Sequence, residues 1–255
     1  MRRFIFFSII NAALLLQSAY ASVENAHIYN SANELYTKKE YHEALELYQE
    51  LANRGIQNPS LYYNLANTNF KIGNIGYAVL YFERALLLKP FDRDIRSNLD
   101  HVRAQLEDKI RPLYDEGIFR LLRRLFSFLR LKITAYLEII LFTSLVVLLL
   151  FFLFLPHSRH RLKNPLIVVG TVYMIILIGM ISQSSYERKY PKGIILQKVL
   201  EVKSSPLAES ETLFTLHEGT KFKLIEQRGE WIRFSTQDGR QGWILQESVE
   251  LIQGK

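Results

Sequence analysis

The sequence has no cysteine. That excludes disulfides, cysteine nucleophiles, thiolate metal sites and lipidation through an N-terminal Cys. A cysteine-free chain suits the periplasm without requiring it. Also missing are a phosphate-binding glycine loop, a GxSxG nucleophile turn and an HExxH zinc motif. The six histidines, at 27, 42, 101, 157, 160 and 217, are scattered and lack carboxylate partners at metal-ligand spacing. Those at 157 and 160 stand in a charged loop beside apolar runs, where lipid headgroups explain them better than a metal. The acidic stretch 40–50 belongs to the solvent face of a helix. The expectation is no enzyme, no metal and no cofactor. Nucleic acid is not an expected partner either. The net charge is +7, but no folded segment is strongly basic. The excess of Lys and Arg sits beside apolar runs, where such residues anchor helices at a membrane surface.

What is abundant is apolar sequence, 49% of 255 residues, unevenly spread, with three runs almost free of charge. The first follows Arg2 and Arg3, covers 4–16, and ends on Ala19-Tyr20-Ala21, the small-x-small form of a cleavage site. Residues 1–21 read as a secretory signal; the other reading is an uncleaved anchor, and both export the chain from residue 22 onward. The second run, 133–155, is long enough to cross a hydrocarbon core of roughly 30 Å. Its one charge, Glu138, is near enough to the start to reach the interface. The third, 165–182, is shorter but uncharged. Between them 156–164 is a tight basic loop with Arg159, Arg161 and Lys163. The two runs predict a transmembrane hairpin. With residue 22 onward exported, the loop is cytoplasmic, as the positive-inside tendency requires. Residues 117–132 carry five positive charges on the outer side, against that tendency, and read as an amphipathic helix along the membrane surface.

Residues 25–58 set above 59–92 give a 34-residue period. Ala32 falls on Ala66, Ala44 on Ala78 and Tyr48 on Phe82. The second unit, with Tyr62, Leu65, Ala66, Phe70, Gly73, Ala78, Phe82, Ala85 and Pro90, resembles a tetratricopeptide (TPR) repeat. Small residues in such a unit let two antiparallel helices approach, aromatics fill the space beside them, and Pro ends the unit. The first unit is degenerate, with Lys39 at the turn-glycine place. A third start, at 93–111, keeps Asn98-Leu99 in register and then turns polar, as a capping helix does.

Asparagine recurs with the repeat. Asn30, Asn64 and Asn98 are 34 apart, as are Asn33, Asn67 and His101. In each first helix the two positions are i and i+3 and share a face, which in the TPR family lines the concave groove. A carboxamide there offers a donor and an acceptor to a peptide backbone; the other reading is that these side chains bond only each other and water. Tyr29 and Tyr63, beside the ladder, are stacking candidates. Asn69 and Asn74 are expected on the exposed face and at the turn.

Residues 190–255 alternate apolar and polar between turn signals at Glu218-Gly219, Arg228-Gly229 and Asp238-Gly239. Five or six short strands predict a small closed barrel, and 194–252 resembles a bacterial SH3-like domain. Trp231 is expected in its core. Phe214 and Trp243 are candidates for a ligand-binding surface, with core or rim packing as the alternative.

The predicted fold is therefore multidomain: all-α TPR hairpins, a two-helix transmembrane hairpin and an all-β SH3-like barrel. Signal, TPR pair, hairpin and tail, in this order, resemble the BatE-like family of the Bacteroides aerotolerance (Bat) operon. The most specific stretches are 202–244 and 63–99. The resemblance implies an inner-membrane complex with von Willebrand factor A-type Bat proteins and association with a MoxR-type ATPase. It also implies a part in aerotolerance or envelope stress. The function so implied is a multi-pass membrane scaffold for protein interaction, with TPR and SH3-like parts in the periplasm. The alternative is a peptidoglycan-binding envelope anchor acting through the SH3-like part.

Overall fold

The computed structural model describes residues 21–110, 132–189 and 191–253. The predicted signal, but for its last residue, and the predicted amphipathic helix, but for Lys132, lie outside the described residues. The chain divides into two compact units, one combining Met1–Arg111 with Pro191–Lys255, the other Pro112–Tyr190.

Five helices open the first unit: α1 over 21–37, α2 Tyr41–Asn53, α3 Pro59–Lys71, α4 Ile75–Leu88 and α5 Arg93–Ala104. Local chemistry places their ends. The Asn58 side chain accepts from Ser60 N and Leu61 N, with Pro59 opening α3, and Asp92 caps α5 in the same way. The turn before α4 carries Gly73 at φ +85; thirty-four residues earlier Lys39 takes φ +68, a left-handed conformation that glycine adopts at less cost. The period reaches the core, since Ala32, Ala66, Ala44, Ala78, Tyr48 and Phe82 are all buried. Helix α5 ends at Ala104, short of the predicted 111. Beyond it, Asp108 is drawn off to accept from His217 N at 2.7 Å and Thr220 Oγ1 at 2.8 Å.

After residue 191 the chain forms seven strands: β1 Lys192–Ile195, β2 Val199–Lys203, β3 Thr212–His217, β4 Lys221–Arg228, β5 Trp231–Thr236, β6 Gln241–Leu245 and β7 Val249–Leu251. They form one antiparallel sheet in the order β3-β2-β6-β5-β4-β1-β7. The expected five or six strands in a closed barrel are thus replaced by seven in an open sheet with β3 and β7 at its edges. The expected turns do hold, with Gly219, Gly229 and Gly239 all at positive φ. Ile195, Leu200, Val202, Leu216, Phe222, Ile232, Phe234 and Ile244 form the core of this β-domain.

Helix α4 joins the two parts of the unit. Its sequence is apolar nearly all round, and Gly76, Ala78 to Glu83 and Ala85 are buried, as expected for a helix covered on both sides. One side meets α3 and the other meets the β-domain. Ile194 and Ile252 belong to the same buried cluster as Leu65, Phe82 and Val102. Gly76 permits the closest approach, because a Cβ there would lie 2.9 Å from the Ile195 carbonyl oxygen. Its N–H donates to Glu218 Oε2 at 2.7 Å. Arg84 donates to Glu250 Oε1 at 2.6 Å and to the carbonyls of Leu251 and Ile252. Between these anchors Glu83, 7% exposed, accepts from Lys221 Nζ at 2.6 Å and from Arg103 on α5. Burial opposes the Glu83 charge, but the Lys221 ammonium and the Arg103 guanidinium outweigh it and hold the carboxyl below its ordinary range. Burial also depresses Lys221 against the pull of Glu83; with a second cation on the carboxylate, Glu83 governs the acid limb.

In the second unit, α6 Lys132–Phe154 and α7 Arg159–Lys189 are joined by a single 3-10 turn, Pro156–Ser158. The helices pack together, with the Phe142 and Tyr173 ring centroids 6.1 Å apart. The basic stretch expected as loop over 156–164 is mostly helix: Arg161 and Lys163 lie in the first turns of α7, and Pro165 continues it. Arg159 closes the turn by donating to the Phe152 and Leu153 carbonyls, orphan acceptors at the end of α6. Among the described residues one helical stretch, Arg159–Ile178, is long and apolar enough to cross a membrane, with mean hydropathy 1.6. The apolar part of α6, Glu138–Phe154, is shorter. Glu138 near the start of α6 has its Oε1 buried without a hydrogen-bond partner among the described residues.

Glu83→Ala leaves two cations facing a buried gap and should cost about 3–5 kcal/mol, whereas Glu83→Leu with Lys221→Met should recover most of it. Both tryptophans lie in the β-domain, so unfolding of the full chain in mild detergent can be followed by their fluorescence. The same charge makes a pH prediction. A carboxyl held lower in the folded state stabilises fully above its unfolded pKa, and that contribution disappears as pH falls through the folded value. Below about pH 4 the wild type should therefore lose stability more steeply than the Leu/Met variant.

Candidate interaction surfaces

Of the predicted groove residues, Tyr29, Asn33 and Asn64 bond to one another across α1 and α3, and Tyr63 to Asn98 across α3 and α5, while Asn30, Asn67 and His101 bond to none of the others. Asn64 Nδ2 donates to Asn33 Oδ1 at 2.9 Å, to the Tyr29 hydroxyl at 3.0 Å and to the Tyr48 hydroxyl at 3.3 Å. Tyr48 in turn donates to Asn33 Oδ1 at 2.6 Å. Burial, and then Tyr29 alongside, push the Tyr48 hydroxyl well above its ordinary value, so it stays protonated and donating. One repeat on, Asn98 Nδ2 donates to the Tyr63 hydroxyl at 2.6 Å. The bonds Asn64 to Tyr29 and Asn98 to Tyr63 each span 35 residues and tie successive first helices together.

These carboxamides are not equally committed. Asn33 and Asn64 are engaged within the fold, and Asn98 uses its amide nitrogen. The side chain of Asn67, half-buried, makes no hydrogen bond among the described residues. The physical reason lies in the repeat. Asn33 is held by the Tyr48 hydroxyl, and the residue 34 on from Tyr48 is Phe82, which has none. Asn30 is exposed and likewise unbonded. His101 is exposed, edge-on to Phe70 at 5.8 Å and beside Gln105 at 3.2 Å. Asn69 departs from expectation: it is 2% exposed, and its Nδ2 donates to the Leu65 carbonyl at 2.8 Å while its Oδ1 accepts from Asn74. A short polar side chain can be buried when it bonds back to its own helix.

The sheet register settles the aromatic residues of the β-domain. Ile232 and Phe234 of β5 face the core, so Trp231 and Arg233 face outward. Across the register, Ile232 pairs with Ile244 and Arg233 with Trp243, which puts Trp243 on the outer side too. Trp231 is therefore a half-buried residue of the outer face, not of the core. Trp243, though outward, is 7% exposed and has the Arg228 guanidinium 5.1 Å from its ring centroid. Phe214 packs against the core, with Arg240 5.3 Å above it.

Of the cations here, Lys203 pairs with Glu201, Arg228 with Glu226 and Arg240 with Asp238, while Arg233 donates to Gln241 Oε1 at 3.1 Å. Among the described residues no group of three His, Asp or Glu is placed to hold a metal ion.

An antiparallel β-domain of short strands and tight turns is the architecture of small all-β interaction modules. Residues 198–250 match the family described as bacterial SH3 domain, and this part of the chain is a bacterial SH3 domain. No curated protein matches the chain.

Sequence reasoning missed the residues joining the helices to this domain: Gly76, Glu83, Arg84, Arg103, Asp108 and Lys221. The available signal was Glu83-Arg84, two charges inside a helix otherwise apolar on every side.

Removing Asn64 takes the one side-chain partner from the Tyr29 hydroxyl and a donor from Asn33 and Tyr48, which keep only the bond between them, so Asn64→Ala should cost about 1–3 kcal/mol. Asn67→Ala should stay within about 0.5 kcal/mol of wild type. Denaturant midpoints of the two variants in the full chain check this contrast.

Proposed function

We propose that the protein is a membrane-anchored scaffold for protein–protein interaction and not an enzyme. The observation that carries this reading is the unspent carboxamide of Asn67, one repeat on from Asn33 and one before His101, in a body that also holds an SH3 domain. A half-buried carboxamide without a partner can still gain a donor and an acceptor bond, and the backbone amide of a bound segment supplies both. The helices α1 to α5 act as TPR hairpins, and Tyr29, Tyr63 and Asn98 shape the groove around that point. Apolar α6 and α7 form a transmembrane hairpin; their exposed Ile139, Phe142, Phe151, Ile167, Val168 and Ile178 suit a lipid environment. The setting is the cytoplasmic membrane, with helical and SH3 parts in the periplasm. By the resemblance to the BatE-like family, the partners are von Willebrand factor A-type Bat proteins, with a MoxR-type ATPase associated, in aerotolerance or envelope stress.

A second reading has one observation in its favour. Half-exposed Trp231 beside Arg233 on the outer SH3 face suits stacking on a sugar or peptide of the cell wall, making the protein an envelope anchor.

Affinity recovery of the tagged full chain from mildly solubilised membranes separates the two. With Asn30→Ala, Asn67→Ala and His101→Ala combined, recovery of a von Willebrand-type partner should fall about tenfold, near 1.4 kcal/mol, with the helical signal unchanged. Unchanged recovery would remove the groove from the account. Sedimentation of the full chain with sacculi, lost on Trp231→Ala, would favour the wall anchor.

A further inference from the structure

The first unit is built from two separated stretches of chain. The chain leaves it at Arg111 and re-enters at Pro191, and the apolar helices α6 and α7 lie between. The two stretches bury each other's side chains. Ile194 and Ile252 complete the cluster containing Leu65, Phe82 and Val102. Glu83 takes its cation from Lys221, 138 residues on. Asp108, just before the chain departs, accepts from the His217 backbone and from Thr220. A bilayer cannot pass between parts that share one core, since its hydrocarbon alone is about 30 Å thick.

We propose that segment 112–190 crosses the membrane an even number of times, once through α6 and once through α7, and that closure of the body checks this insertion. The inference rests on the membrane reading above, but not on the leader or on the basic residues at the hairpin. It also overrides what helix length alone suggests. Among the described residues only Arg159–Ile178 qualifies as a span by itself, and one crossing would strand the helical region and the SH3 domain on opposite sides. The 17 apolar residues of α6 reach about 25 Å, a shortfall that bilayer thinning accommodates at modest cost. Until α7 has carried the chain back, α4 keeps an uncovered apolar flank and Glu83 lacks Lys221. A hairpin inserted by half thus leaves the helical region incomplete.

The absence of native cysteine makes the test direct. Single substitutions Glu43→Cys on α2, Glu209→Cys before β3 and Arg161→Cys at the start of α7, all at exposed positions, are labelled with a membrane-impermeant maleimide in spheroplasts and in inverted vesicles. The expected result is that Glu43→Cys and Glu209→Cys react from one face and Arg161→Cys from the other. Reaction of the first two from opposite faces would overturn the proposal and with it the hairpin, and leave only membrane anchoring by a single span standing. Reaction of all three from one face, with the protein released by carbonate, would overturn both. For the insertion check, Ile167→Arg with Val168→Arg impedes the second crossing. Region 21–110 of that full-length variant should then become protease-sensitive, and wild-type resistance with the two labels on opposite faces would overturn the check.

Discussion

A single buried carboxylate carries the connection between the helical and β parts of this protein. Glu83 sits on a helix with almost no other polar side chain at its buried faces, in a position where an unpaired charge would be ruinous. It is tolerable because α5 and the SH3 domain each deliver a cation to it. Removing either the α5 register or the SH3 position leaves the charge half-compensated. The other contacts of the dock build on satisfying that one group. Helix α4 lies with one flank on α3 and the other on the sheet, Gly76 lets the Ile195 backbone come close, and Arg84 reaches the final strand and the carbonyls beyond it. Buried ion pairs are weak sources of net stability, but breaking one by removing a partner is strongly destabilising. Here what the pair holds is the docking of two modules that the chain itself separates by 79 residues.

That constraint also marks the limit of what the sequence makes legible. The helices can be read because they repeat: Ala32 and Ala66, Ala44 and Ala78, and Tyr48 and Phe82 occupy equivalent buried places, and Gly73 and Lys39 equivalent turns. The SH3 turns can be read because Gly219, Gly229 and Gly239 need positive φ. The dock cannot be read the same way, since no period links Glu83 to Lys221. The clue was negative, a helix too apolar on its outer flank for the water-facing side of a two-hairpin array. Trp231 was misplaced for a related reason. Alternation in a strand says which residues share a face, not which face is inward, and only pairing with β6 decides it. Asn69 was misplaced because burial of a carboxamide depends on one backbone carbonyl, which composition does not reveal.

The asparagine ladder shows how one hydroxyl changes the role of an equivalent residue. Asn33 and Asn67 occupy the same place in successive repeats. Facing Tyr48, Asn33 becomes part of a closed hydrogen-bonded set with Asn64 and Tyr29 that fixes α1 against α3. Asn67, in a repeat that carries Phe82 where the first carries Tyr48, is left with its side-chain bonds unmade. Part of the ladder is structural, and the remainder is where the proposed groove has bonding capacity left.

Docking changes the energetics of the proposed scaffold. Two modules on a flexible tether gain through effective concentration, which falls as the tether lengthens. Here the helical face and the SH3 domain share a core, so no tether intervenes between them and little orientational entropy remains to be lost when a partner touches both. The relevant gain is preorganisation, cutting the ordering cost of binding rather than adding contacts. A partner spanning both surfaces must then match a fixed separation, and loosening Glu83 would weaken such binding without altering any residue the partner touches. In this arrangement the charge that holds the body together would also set the geometry of its recognition surface.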